Sequence, residues 1–225
     1  SETDAKKIIY YAIDKGITLF DTAQVYSQGR TERLLGEIKK DKPEIIIATK
    51  LPGEQYPSPN NTIDDVYPLL RLRQNLEKSL YNLNLDAIDL LQLHNWDSNW
   101  SFDKCQQLLE KLKDFKKEGL IKAVGVSVPK WMEHCNPILF DSRYVDSIQV
   151  PFSIFQQWSS SELMPKAKDN SISILTRTIF AGGLLSTNKR NWKSINLEHQ
   201  KKINDLSQIL KIPKKLIPQY ALSFS

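Results

Sequence analysis

The apolar run Ile17–Phe20 ends in Asp21, and Tyr26 follows five residues later in a stretch that reads as loop, "LFDTAQVYSQGRTERLLGE". A carboxylate drawn into a core is costly unless something pairs with it, so Asp21 requires a partner from elsewhere in the chain. Three further apolar runs carry polar groups at or near their ends: "EIIIATK" ends in Lys50, "AIDLLQLH" ends in His94, and "AVGVSV" contains Ser127. A carboxylate, an ammonium and an imidazole brought together would form an ion pair beside a group able to move protons. Taken singly, each has a plainer role: Asp21 in a turn or helix cap, Lys50 reaching solvent from a strand end, His94 as a structural histidine. Their recurrence at successive strand ends favours the joint reading.

Those ends must be held by the elements around them. Strands are expected at 17–23, 44–50, 87–94, 123–128, 147–153 and 171–178, and helices at 3–15, 30–40, 62–83, 101–118, 130–140, 161–169, 197–211 and 213–224. Continuous apolar strands of this kind suit a parallel sheet buried on both faces. Ser101 with Asp103, and Gly119 beyond, read as a start and stop pair, and Pro213 opens the last helix where proline is tolerated. Strand–helix alternation gives an α/β architecture. With no G-x-G-x-x-G present, a barrel is favoured over a doubly wound sheet. Sites of parallel barrels gather at the carboxyl ends of the strands. Side-chain alternation puts Ile46, Ala48 and Lys50 on one face and Leu90, Gln92 and His94 on another. If both faces point inward, Lys50 and His94 meet Asp21 at the barrel mouth.

The 225 residues are enough for one core, and a single domain over 1–225 is expected. Apolar residues make up 40% and charged residues 25%, ordinary for a globular chain. No apolar run approaches the roughly 20 residues that span a bilayer. The opening "SETDAKKIIYYAIDKG" reads as an amphipathic helix rather than a signal peptide, so no membrane insertion is expected. Cys105 and Cys135 lack metal-ligand spacing, which fits a reduced, cytoplasmic protein without a metal. The net charge of +5 is concentrated between Lys189 and Lys215, a solvated face or a phosphate-binding one. No nucleic-acid partner is expected: zinc-finger spacing, RNA-binding signatures and basic helices with interleaved aromatics are all missing.

The segments "GITLFDTAQVYSQGRTERLLGE", "IIIATK", "AIDLLQLH", "EGLIKAVGVS", "SIQVPFS" and "AGGLLS", in this order and over nearly the whole chain, resemble the aldo-keto reductase family. The resemblance implies a (β/α)8 TIM barrel that reduces aldehydes or ketones with NADPH or NADH, NADPH being favoured. Carried onto this chain, its catalytic positions are Asp21, Tyr26, Lys50 and His94. Tyr26 is then the proton donor, with an ordinary phenol pKa of about 10 that a nearby Lys50 ammonium is expected to lower. Asp21 pairs with Lys50, and His94 orients the small-molecule carbonyl. The cofactor positions are Asp21, Ser127, Gln149, Arg177, Gly182 and Gly183, with Ser127 and Gln149 on the nicotinamide carboxamide. Tyr26, His94 and Trp96 border the substrate pocket, Trp96 either as a wall or as loop packing.

The sequence departs from the family pattern in three places. Val128 follows Ser127 where the family often has Asn. Arg177 stands where an aromatic often stacks on nicotinamide, and its flat guanidinium could stack or bind a phosphate. The first and last barrel strands are lacking in the chain as given, so six of eight are expected, with apolar edges exposed. A cofactor-binding auxiliary or sensor subunit with little turnover is the alternative, as is a barrel that binds nucleotide without turnover. Loop 52–61 and the polar residues Asn95, Asp97 and Asn99 near His94 are candidate pocket borders. Oligomeric state is not encoded in any pattern here.

Overall fold

The apolar runs form the strands and the amphipathic runs form the helices. The computed structural model describes residues 1–129, 136–186 and 197–225. The strands are β1 (Leu19–Asp21), β2 (Ile46–Leu51), β3 (Ile88–Leu93), β4 (Ile121–Ser127), β5 (Ser147–Pro151) and β6 (Ser173–Arg177). They pair in parallel and in chain order, β1 to β6. The helices among the described residues are α1 (Glu2–Asp14), α2 (Arg30–Asp41), α3 (Ile63–Val66), α4 (Leu69–Leu83), α5 (Phe102–Lys117), α6 (Leu163–Asp169), α7 (Leu197–Ile209) and α8 (Ile217–Phe224). This is the α/β fold expected, a six-stranded part of a (β/α)8 barrel. No helix among the described residues is long and apolar enough to cross a membrane.

The helix expected at 62–83 is two helices. Thr62 caps α3 in a capping box with Asp65, and the chain then breaks at Pro68, which precedes α4 and has ψ of 122°, outside the helical range. α4 stops at Asn84 in a left-handed conformation. Ser101 precedes α5 as expected, yet its side chain makes no cap hydrogen bond. The last helix begins at Ile217, after a short 3₁₀ turn at Lys214–Leu216 that follows Pro213. Residues 130–135 of the helix expected at 130–140, Cys135 and the Lys189 end of the basic stretch lie outside the described residues.

The two faces of the sheet differ in chemistry. One face, made of Ile47, Leu51, Leu91, Leu93, Val124, Val126, Ile148 and Val150, packs with Leu35 and Ile38 of α2, Leu72, Leu76 and Leu83 of α4, and Leu109 and Phe115 of α5 in one buried cluster. Each such side chain contributes roughly 1.5–3 kcal/mol on burial. The inner face is not continuously apolar. It carries Lys50, Gln92, Ser127, Ser147 and Gln149, all buried, between small residues such as Ala48 and Gly125. Leu19 and Ile46, on the same face near the β1 edge, are 37% and 43% exposed. At the opposite end of the strands the work is structural: Asp89 accepts from Ile47 N, Lys39 and Lys122, and Asp146 from Val124 N and Lys116.

Candidate active site

Asp21, at the end of β1, is paired in register with Ala48. Beyond it, Thr22 N donates to Ala48 O at 2.8 Å and Gln24 N to Lys50 O at 3.3 Å, so the chain follows β2 past the last strand residue. Gln24 is then anchored to α4 through Asn75 O and the Ser79 hydroxyl. Tyr26 opens a tight turn, Tyr26–Gly29, and the residue stays 42% exposed.

Lys50 is the partner that the Asp21 carboxylate requires. Its Nζ donates to Asp21 Oδ2 at 2.5 Å and to Thr22 O at 2.8 Å. Gln92, the register partner of Lys50, donates to the other carboxylate oxygen, Oδ1, at 3.0 Å. Lys50 Nζ lies 5.5 Å from the centroid of the Tyr26 ring. His94, just past β3, meets that ring edge-on, with centroids 5.9 Å apart and planes at 81°. The structure therefore brings Asp21, Tyr26, Lys50 and His94 together at the carboxyl ends of β1, β2 and β3.

Burial and neighbouring charge set the protonation of this group. Burial, then the Lys50 ammonium, pushes the His94 pKa down to about 4, so the imidazole is neutral at pH 7. Burial pulls the Lys50 ammonium below its usual range, while Asp21 holds it up. Tyr26 runs against expectation. Its pKa is raised, first by burial and then by the Asp21 carboxylate, and the charge that lowers it is Arg177. Lys50 is bound directly to Asp21, so the carboxylate offsets its pull on the phenol. The expected lowering by Lys50 is thus corrected: the Tyr26 pKa is raised, and Arg177 opposes that rise without overcoming burial and Asp21.

Ser127 and Gln149 end up side by side, as register partners of β4 and β5, with the Ser127 hydroxyl 3.3 Å from Gln149 Oε1. Val128, fully buried, donates its N–H to Gln149 O, and its carbonyl accepts from Arg177 Nη2 at 2.9 Å. Arg177 Nε is buried without a hydrogen-bond partner in the described structure. Gly182 and Gly183 lie in the turn after β6, both with positive φ. Trp96 is not brought to the surface of the site. It is fully buried, 5.5 Å from Trp100 centroid to centroid. It braces the loop that carries His94, together with Tyr67, whose hydroxyl bonds both the N–H and the carbonyl of Asn95.

Gln92 was missed as a site residue, although a glutamine inside the apolar run "LLQLH" signals a polar task. It crosses the sheet because Gly125 leaves room: a Cβ there would stand 2.7 Å from Gln92 Cγ. Among the described residues, no group of three or more His, Cys, Asp or Glu is arranged to hold a metal ion.

The family model described as "Aldo/keto reductase family" matches residues 1–225. The chain is 31% identical over 192 residues to the aldo-keto reductase YhdN of Bacillus subtilis (strain 168), covering 82% of this chain and 55% of that protein. It is 29% identical over 180 residues to the NADH-specific methylglyoxal reductase of Escherichia coli (strain K12), covering 76% of this chain and 55% of that one. Among solved structures, the holo form of the aldo-keto reductase AKR11C1 from Bacillus halodurans aligns with a TM-score of 0.66 at 26% identity, over 84% of this chain and 61% of that one. The chain thus spans little more than half the length of the curated relatives it matches.

Proposed function

The chain belongs to the aldo/keto reductase family, and on that premise we propose that it reduces an aldehyde or ketone to an alcohol with NADPH or NADH. The observation that carries this reading is the meeting of Asp21, Tyr26, Lys50 and His94 at adjacent strand ends. Ser127 and Gln149 fit a nicotinamide carboxamide, since a hydroxyl and an amide stand together where one acceptor and one donor are needed. Arg177 suits either a ring face or a phosphate, and Gly182 and Gly183 allow backbone to approach a pyrophosphate. The reduced nicotinamide, when bound, supplies a hydride to the carbonyl carbon.

The chain's own residues do the rest. The Tyr26 phenol gives its proton to the carbonyl oxygen, so carbon gains the hydride and oxygen the proton. Because Tyr26 is 42% exposed, the phenolate regains a proton from water. His94, neutral at pH 7, donates one N–H to the same oxygen and fixes its direction. Asp21 and the Thr22 carbonyl hold the Lys50 ammonium in place, and Gln92 holds the Asp21 carboxylate. The substrate is a small carbonyl compound. NADPH is the favoured cofactor, while the NADH-specific E. coli relative makes NADH the direct comparison. A cytoplasmic location is proposed with it, on the free, buried Cys105.

The test is loss of reduced-nicotinamide absorbance with an aromatic aldehyde, using NADPH and then NADH, beside Tyr26→Phe. Turnover in the parent and a fall of about 10²–10⁴ in the variant, with cofactor affinity unchanged, supports the reductase. Cofactor binding without turnover in the parent favours the sensor reading, which Val128 and the raised Tyr26 pKa keep in play.

A further inference from the structure

Between Tyr26 and α2 the backbone takes an uncommon path. Ser27 and Gln28 have φ of 48° and 56°, and Gly29 has φ of 79°. Successive left-handed residues persist only where their surroundings hold them, and here the bonds that hold them converge on one buried carboxylate. Arg33 Nη2 donates to Gln28 O at 3.3 Å, and Arg33 Nη1 to Asn82 Oδ1 at 3.1 Å. Asn82 packs against Gly29 so closely that a Cβ there would stand 2.5 Å from its Nδ2. That Nδ2 donates to Glu32 Oε2 at 2.7 Å, and Glu32 Oε1 accepts from the Thr49 hydroxyl at 2.7 Å. Thr49 directly precedes Lys50. In parallel, Thr22 Oγ1 donates to Thr31 Oγ1, whose hydroxyl donates to the Tyr26 carbonyl.

Glu32 and Thr49 are both wholly buried, on the face of the sheet away from the site. A buried carboxylate held by two uncharged donors is a costly way to pack α2 on β2, because an apolar side chain of similar size would do that without desolvation. Packing therefore does not account for it. A rigid bidentate acceptor does something an apolar group does not. It fixes two donors from two different elements at a set separation.

We propose that Glu32 is a positioning residue that sets the Tyr26 phenol against Lys50, by joining the turn that carries Tyr26, through Asn82 and Gly29, to the strand that carries Lys50, through Thr49. The proposal rests on the reading of Tyr26 as proton donor, and its test separates the two.

The parent, Glu32→Gln, Arg33→Met and Tyr26→Phe are compared in the intact protein. Reduction kinetics are followed against pH, and tyrosine ring-carbon NMR gives the titration of Tyr26, its resonance assigned by its loss in Tyr26→Phe. Glu32→Gln keeps the shape but replaces one acceptor oxygen by an N–H₂, so either Asn82 loses its acceptor or the Thr49 hydroxyl must turn round and accept, and the two donors are no longer both held. Its expected effects are a fall of about tenfold or more in kcat, KM and cofactor affinity within about twofold of the parent, and a displaced Tyr26 titration. Arg33→Met, an exposed substitution that breaks the links to Asn82 and Gln28, should move the same readouts in the same direction, and it carries the test if Glu32→Gln fails to fold. A variant that lowers thermal stability while leaving kcat and the Tyr26 titration at parent values overturns the proposal. Full turnover by Tyr26→Phe overturns the donor reading instead, and the NMR titration then still decides whether Glu32 positions the phenol.

Discussion

Lys50 and Asp21 form an ion pair although the sheet does not place them opposite each other. The register sets Asp21 against Ala48 and Lys50 against Gln92, and the lysine reaches back to close a 2.5 Å contact. Its side chain is 2% exposed and that of Asp21 is 32% exposed. The pair is therefore asymmetric: water can reach one partner and scarcely touches the other.

That asymmetry predicts unequal costs. Asp21→Asn leaves a buried ammonium without its carboxylate and should destabilise by about 3 kcal/mol. Lys50→Met leaves a carboxylate that water and Gln92 can serve, and should cost about 1 kcal/mol or less. The double variant should match Lys50→Met. Urea unfolding of the three measures this, and equal losses in the two single variants would show that the asymmetry has no energetic weight.

His94 predicts an acid-side loss of stability. Its folded pKa is about 4, below the ordinary histidine value of 6.5. As pH falls through 6.5 the unfolded chain takes up a proton that the folded one refuses, so stability is full above 6.5 and declines down to about 4. Unfolding midpoints at pH 7 and pH 5 should differ more for the parent than for His94→Gln. The same difference in both would assign the loss to other groups.

Arg177 predicts a displaced pH–rate profile. Reduction needs Tyr26 protonated, so kcat should hold through neutral pH and fall only above the ordinary phenol range, since the Tyr26 pKa is raised. Arg177 is the charge that lowers it, so Arg177→Met should move the falling limb to still higher pH. The same substitution should raise the His94 pKa, because Arg177 also disfavours the imidazolium. Unmoved limbs would show that the guanidinium acts on neither group.

Gly125→Ala tests the crossing of Gln92. The added methyl meets Gln92 Cγ and Ser147 Oγ, both at 2.7 Å, and should destabilise by about 1–3 kcal/mol while detaching Gln92 from Asp21. Gln92→Ala in the same chain should recover part of the stability and none of the turnover. A neutral Gly125→Ala in denaturant titration would mean that β3 and β4 yield readily.

Strand positions and the four-residue cluster could be read from the chain because apolar runs and their polar ends are local signals. The break at Pro68 was overlooked because helical periodicity continues across it from 62 to 83, although the proline itself is a local stop signal. Gln92 could be placed on the inward face from strand alternation, but its partner there could not be read from the chain. The use of Gln92 depends on Asp21, 71 positions away. Glu32 reads as one more solvated charge on α2 until Thr49 and Asn82 are seen against it. The lowering charge at Tyr26 was misassigned for a similar reason: the burial of the phenol and the nearness of Arg177, 151 positions away, are set by the fold.

The strictly sequential order of β1 to β6 also bears on assembly. From β2 to β6 each strand pairs with the one made just before it, so each closure spans one strand–helix unit, and the closure entropy, which grows only slowly with length, is similar at every step. A chain emerging from the ribosome can add one strand–helix unit after another to a growing edge. Asp21, Tyr26, Lys50 and His94 all come from the first three strands and the loops after them, and they can meet before β5 and β6 exist. The acid–base half of the site is then built early, and the residues of β4 to β6 are laid beside it afterwards.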